Sequence, residues 1–187
     1  VSQGYAEVPL PVVLGHEGAG VVERVGAGIT ELASGDHVIM TFPSCGHCQP
    51  CSSHHPAYCD HGQTLTFSCQ RAEGVSSLSH DDNPVHGAFF AQSSFASYAL
   101  ATVRNTVKVD KDLPLENLGP LGCGFQKGAG AVLNVMQPSP GQSLAVFGTG
   151  NVGLSAIMAA KIAGMDPIMA LDIQEQRLKI ALELGAS

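Results

Sequence analysis

Four cysteines fall within one short segment, Cys45-Gly-His-Cys48-Gln-Pro-Cys51 and then Cys59, in the spacing C-x2-C-x2-C-x7-C. This constrains the fold more than any other feature. The segment is too rich in Gly, Pro and polar residues to organise itself around apolar side chains, so its shape must come from what the sulfurs bind. Four thiolates can wrap one tetrahedral Zn²⁺, and binding then supplies the order that the loop lacks. Iron–sulfur ligation and a pair of disulfides are the competing uses. Close spacings such as Cys45 to Cys48 favour a metal, and so does a start, Val1–Leu10, with neither a basic stretch nor a long apolar one. A filled set of four donors favours a closed, structural zinc. His47, His54, His55 and His61 lie in the same lobe as further donors and read as solvated loop residues. Cys69 is left over and reads as a free or buried thiol.

The chain around this lobe changes character along its length. Up to about Gly122 the apolar runs are short and often β-branched: Val21-Val22 with Val25, His37 to Met40, Phe95 to Leu100, and Thr106 to Val109. Gly, Pro, Ser and Asp separate them, which predicts many short strands joined by turns. Lys111 to Gly119 reads as a connection or a short helix. Beyond Gly124 the pattern turns helical and then alternates. A helix is predicted over Ala129–Met136, a strand over Ser143–Phe147 and a helix over Val152–Ala163. A strand over Pro167–Leu171 and a helix over Gln174–Leu184 follow, the last stopped by Gly185. This β-α-β-α order opens a parallel sheet. With 44% apolar and 13% charged residues the chain is no disordered segment. A formal charge of −7 without a Lys/Arg cluster argues against a nucleic-acid surface. No apolar run is long enough to span a membrane.

Two motifs carry chemistry outside the lobe. His16 and Glu17 stand in Gly15-His-Glu-Gly-Ala-Gly20, and Cys123 stands alone in Leu121-Gly-Cys-Gly-Phe125. A His and a Cys can be two of the three protein ligands of an open, catalytic zinc. Spacing alone shows only those two. The other motif is Gly148-Thr-Gly150-Asn-Val-Gly153, placed between a predicted strand and a predicted helix. In that context G-x-G-x-x-G is a dinucleotide turn. Gly148 serves the tight turn, Gly150 the approach of a pyrophosphate, and Gly153 close helix–strand packing. Asn151 and Val152 start the helix whose free N–H groups face the phosphates. Asp172 ends the next strand, placed to accept hydrogen bonds from a ribose and to repel a 2′-phosphate, which predicts NAD over NADP. Arg177 nearby pulls the other way, and the acid at the strand end should dominate.

Together these residues resemble the zinc-dependent medium-chain alcohol dehydrogenases. Gly15-His16-Glu17-x-x-Gly20-x5-Gly26-x-x-Ile29 is similar to that family's zinc signature, and the cysteine lobe, Cys123 and the glycine turn follow in the family's order. Phe90-Ala-Gln-Ser-Ser-Phe95-Ala-Ser-Tyr98, Leu118 to Gln126 and Gly128 to Val135 resemble the aryl-alcohol (benzyl alcohol) dehydrogenases. The resemblance implies an α/β architecture. Its parts are a β-rich GroES-like catalytic domain over residues 1–124 and the first half of a Rossmann NAD-binding domain over 125–187. It implies an oxidoreductase moving hydride from a primary alcohol to NAD. Cys45, Cys48, Cys51 and Cys59 would hold a structural zinc, and His16 and Cys123 a catalytic one that polarises the alcohol oxygen, with Glu17 a neighbouring or alternative ligand. Thr41 and Phe42 are expected near the substrate. Glutathione-linked formaldehyde dehydrogenase, polyol dehydrogenase and a non-catalytic zinc- and nucleotide-binding relative are the alternatives. The resemblance further implies a cytoplasmic homo-oligomer acting on small molecules.

Two departures stand out. The family's further cysteine ligand and proton relay lie upstream of the Gly-His-Glu motif, beyond Val1. Lys127 stands where a small hydroxyl residue is usual near the nicotinamide. The expectation is therefore an internal portion of a longer enzyme, inactive and aggregation-prone on its own.

Overall fold

A computed structural model describes residues 8–71, 74, 76 and 78–187. They divide into two units, with the break between Gly122 and Cys123.

The first unit holds strands β1 (Ala19–Val21), β2 (His37–Met40), β3 (Leu78–His80), β4 (Asn83–Val85) and β5 (Thr106–Val109). β2 is the centre of an antiparallel sheet in the order β1-β2-β5, pairing Ile39 with Ala19 on one side and Val107 on the other. Val38, Ile39 and Met40 are all buried, and because successive side chains point to opposite faces, this central strand is covered on both. Asp36 anchors its start. The carboxylate accepts the Ala33 N–H at 2.9 Å and pairs with Lys108 of β5 at 2.8 Å. β3 and β4 form a separate hairpin.

The strand expected at Phe95–Leu100 does not form. Ser94 and Phe95 donate backbone hydrogen bonds to Gly15 and Leu14, and the chain then bends through residues 95–98. Phe95, Tyr98 and Leu100 are exposed. Apolarity gave the signal, but a strand also needs a partner ladder, and within this run, among the described residues, Phe95 alone makes a backbone bond of that kind. The strand expected around Val21, Val22 and Val25 is likewise shorter. Val22 already exchanges hydrogen bonds with Gly35 and Asp36 at the approach to β2.

Three short helical turns build the cysteine lobe: α1 (Gln49–Ser52), a 3-10 turn at Pro56–Tyr58, and α2 (Gly62–Phe67).

The second unit runs α3 (Gly124–Gly130), β6 (Leu144–Phe147), α4 (Asn151–Ile162), β7 (Ile168–Leu171) and α5 (Glu175–Leu184). β6 and β7 pair in parallel, Leu144 with Ile168 through Phe147 with Leu171. The helix expected at Ala129 starts at Gly124 and continues as a π-helix over Ala131–Met136. Packing overrides the poor helix propensity of glycine here. A Cβ at Gly128 would lie 2.0 Å from the Val152 carbonyl oxygen of α4, and Ser155 Oγ donates to the Phe125 carbonyl at 2.8 Å. Val132, Val146, Ile157, Ala160, Ile168 and Ala181 form the core, and its many alanines let helix and sheet approach closely.

Candidate metal and nucleotide sites

The four lobe cysteines come together with their sulfurs within 4.8 Å of one another. Cys45 and Cys51 are 3.9 Å apart at sulfur, as are Cys48 and Cys59. A disulfide needs about 2.05 Å, and none of the six cysteines is in a disulfide. A tetrahedron with Zn–S bonds of about 2.3 Å has edges of about 3.8 Å, so the spacing fits a metal. The backbone is arranged for thiolates. His47 and Cys48 aim N–H groups at Cys45 Sγ (3.5 and 3.3 Å), and Cys45 aims its own at Cys59 Sγ (3.3 Å). Gly46, at φ +85°, makes the turn that allows this. A Cβ there would stand 3.0 Å from the Arg104 guanidinium, whose Nε and Nη2 donate to Ser44 Oγ at 3.2 and 3.0 Å. A fixed cation thus lies against the thiolate loop. Desolvation pushes the Cys45 thiol up, but the N–H groups of His47 and Cys48 and the thiols of Cys48 and Cys59 outweigh it, bringing it to about 6. Desolvation prevails at Cys48 and lifts it to about 11. Cys69 is fully buried, its thiol raised by burial and its Sγ 3.5 Å from the Phe67 carbonyl.

The Gly15-His16-Glu17 loop is held by residues far along the chain. Gly15 has φ +102°, and a Cβ there would lie 2.3 Å from the Phe95 nitrogen, so only glycine fits. Gln92, 1% exposed, donates Nε2 to the His16 carbonyl and accepts the Gly18 N–H, both at 3.1 Å. Ser93 Oγ donates to the Val13 carbonyl at 2.6 Å. The His16 ring lies 4.5 Å from Phe90 and meets the edge of Phe89 at 6.1 Å. Phe42 and Phe67 stand 5.3 and 5.6 Å from Phe90. Sequence reasoning gave Gln92 and Phe90 no role. Their signal was the stretch Phe90 to Tyr98, which carried a family resemblance but assigned neither residue a task.

Glu17 and the end of β2 are crossed by the segment that leads to Cys123. A Cβ at Gly119 would lie 2.3 Å from the Glu17 carbonyl oxygen, and one at Gly122 would lie 2.0 Å from that of Met40. Thr41 Oγ1 donates to the Gly122 carbonyl at 2.9 Å. Cys123, the next residue, is buried and precedes α3. An imidazole, a carboxylate and a thiol are donors suited to zinc. Lys127 is exposed on α3.

The glycine turn has a separate physical reason at each glycine. Gly148 has φ +92°. A Cβ at Gly153 would collide with the Gly148 carbonyl oxygen at 1.9 Å. A Cβ at Gly150 would meet nothing within 4 Å, so open space lies at the start of α4, where no side chain caps the helix. Asn151 and Val152, both exposed, begin that helix. This geometry fits a dinucleotide pyrophosphate. Asp172 ties the turn to the end of β7. Oδ2 accepts the Thr149 N–H at 2.7 Å and its hydroxyl at 2.9 Å, and Oδ1 accepts the Gln174 N–H at 2.9 Å. The N–H groups of Thr149 and Gln174, with smaller help from the Thr149 hydroxyl and Arg177, hold the carboxyl at about 2. Arg177 turns toward this carboxylate, Nη1 4.0 Å from Oδ2. The carboxylate thus already serves three donors, where the sequence suggested a group reserved for ribose.

Residues 1–111 match the family described as the alcohol dehydrogenase GroES-like domain. The chain belongs to this family of alcohol dehydrogenases. Geraniol dehydrogenase of Castellaniella defragrans is 51% identical over 181 residues, covering 96% of this chain and 48% of that protein. The crystal structure of an alcohol dehydrogenase zinc-binding domain protein from Burkholderia ambifaria superposes with a TM-score of 0.93 at 56% identity, over 96% of this chain and 49% of that one. That of benzyl alcohol dehydrogenase from Acinetobacter calcoaceticus gives 0.90 at 49% identity, over 97% and 49%. The chain spans about half the length of the curated relatives it matches.

Proposed function

We propose that this chain carries the catalytic domain and the first nucleotide-binding half of a zinc- and NAD-dependent dehydrogenase of aryl and related primary alcohols. The observation that carries this reading is the aromatic wall at His16. A ligating imidazole packed on Phe90, with Phe89, Phe42 and Phe67 around it, presents metal-binding and apolar surface in one place. Geraniol and benzyl alcohol, named for two relatives, both carry an unsaturated carbon beside the carbinol. A flat, apolar group of that kind suits an aromatic wall.

His16, Glu17 and Cys123 would hold the catalytic zinc, and Cys45, Cys48, Cys51 and Cys59 the structural one. Zinc held by the first set would supply Lewis acidity toward the alcohol oxygen, and NAD held at the glycine turn would supply a hydride acceptor. The chain's own residues do the rest. Gln92 fixes the backbone on both sides of Glu17, so the ligands are positioned before substrate arrives. The phenylalanines exclude water from the carbinol side. Gly150 leaves the pyrophosphate room, and ionised Asp172 opposes a 2′-phosphate. A thiolate-rich lobe without disulfides suits a reducing compartment such as the cytoplasm. Exposed Phe95, Tyr98 and Leu100 offer surface for a homo-oligomer.

A substrate panel on the complete protein tests the reading. Benzyl alcohol and geraniol should be oxidised with NAD at higher kcat/KM than polyols or S-hydroxymethylglutathione, and NADP should be a poor acceptor. Preference for a polyol, or for NADP, would sink it.

A further inference from the structure

We propose that Cys45, His47 and His61 form a second, outer metal site on the cysteine lobe. It would take a borderline divalent ion such as Zn²⁺ or Co²⁺ by sharing the Cys45 thiolate with the structural zinc.

One ligand atom from each of these three residues lies within 4.8 Å of the other two, a grouping distinct from the four-cysteine set. The imidazole rings of His47 and His61 are 5.8 Å apart, inclined by 38°. Both histidines are exposed, so an ion can arrive from solvent, whereas Cys48 and Cys51 are buried on the inner side. Cys45 is half-buried and belongs to both sets.

The rings are also held. His47 lies in the turn where its own N–H meets Cys45 Sγ at 3.5 Å, and its Nδ1 is 3.1 Å from the Cys45 carbonyl oxygen. With Nδ1–H donating to that carbonyl, the Nε2 lone pair is left for a metal. Ligating histidines habitually have this outer partner, which fixes tautomer and ring orientation. His61 follows Cys59 by two residues and immediately precedes α2, so the lobe that holds the first ion also positions the second donor. His54 and His55, in the same lobe, do not join the cluster among the described residues.

The chemistry balances. A zinc with four thiolates carries a net charge of −2, and a thiolate sulfur bound to one zinc keeps lone pairs for another ion. Two imidazoles and one shared thiolate, with water completing the tetrahedron, suit borderline divalent metals. The proposal rests on the structural-zinc reading of the lobe, since Cys45 is shared.

The test uses the complete protein with its tightly held zinc, first dialysed against a mild chelator to empty the exposed outer site, then titrated with Co²⁺, with metals counted per subunit by mass spectrometry. The partner variant is His47→Gln/His61→Gln, two exposed positions whose change should leave the zinc content as it was. The expected result is one Co²⁺ beyond the resident zinc in the parent protein and none in the double variant. A sulfur-to-cobalt charge-transfer band should appear in the parent alone. No added Co²⁺ in the parent, equal binding in both proteins, or the same band in both overturns the proposal. Lobe sulfurs that hold no zinc in the isolated protein overturn the structural-zinc reading, and this one with it.

Discussion

Asp172 serves the fold directly, and on the proposed reading it serves a cofactor as well. Its carboxylate closes a short circuit between Thr149 and Gln174, so the glycine turn and the end of β7 move as one piece. The sign of its pH dependence follows. A carboxyl held at about 2, below its ordinary 3.8, stabilises the fold fully above the ordinary value and loses that contribution as pH falls through the folded one. Thr149→Val removes one of the three donors while keeping volume. The Asp172 pKa should rise, narrowing that acid window, and KM for NAD should increase about five-fold with kcat nearly unchanged. Carboxyl titration by NMR and steady-state kinetics read the two effects. An unchanged pKa would show that the hydroxyl contributes nothing. The sequence showed the acid at the strand end but not Thr149, because no spacing rule announces a hydroxyl that bonds across a turn. Gln92 was hidden for the same reason: 74 residues separate it from the Gly18 N–H that it accepts.

At the scale of elements, glycine–backbone contacts decide where helices sit. Gly128 and Gly153 face backbone oxygens at distances where no Cβ fits. Gly128→Ala or Gly153→Ala should each cost about 2–3 kcal/mol, as overpacking against backbone does, read as a lower denaturation midpoint of the complete protein. Gly20→Ala, with nothing within 4 Å of its added Cβ, should be near neutral and serves as the control. The cysteine lobe makes the opposite case. On the proposed zinc reading, its helical turns are too short to persist without the ion. Cys48→Ser should release the lobe's zinc and add a low-temperature phase to melting, whereas Cys69→Ser, outside the ligand set, should keep the zinc. β2, β5 and the β6-α4-β7-α5 series were legible because each is a short apolar run set off by turn residues, and β2, β6, α4, β7 and α5 each bury at least one residue of that run, Ile39, Val146, Ile157, Ile168 and Ala181 among them. Phe95–Leu100 was misread because a β-branched or aromatic run reports apolarity, whereas the strand needs a neighbour the sequence does not name. The start of α3 was missed because a glycine-rich run reads as a loop until its packing partner is known.

For the whole molecule, the sequence reads clearly as two kinds of structure joined near residue 123. The second unit leaves Phe147, Ile162 and Ile173 80–100% exposed, beside a sheet of two parallel strands. Large apolar side chains left this open to water favour association with other copies. A polypeptide of these 187 residues is therefore expected to self-associate, seen as a broad, concentration-dependent mass by light scattering. A monomer with one sharp cooperative melt would contradict this. The central claim is that His16 and Cys123 hold the metal that turns over alcohol, and that the cysteine lobe holds another with a structural task. Its most direct test is NADH formation from benzyl alcohol by the complete protein, with zinc counted on the same samples. Once exposed, loosely held metal is removed by dialysis, the parent should carry two zinc ions per subunit and form NADH. His16→Ala and Cys123→Ala should each lose one zinc and on the order of 100-fold or more in rate, since even outer-shell losses cost 10–100-fold. Full zinc content with unchanged turnover in either variant would contradict the assignment.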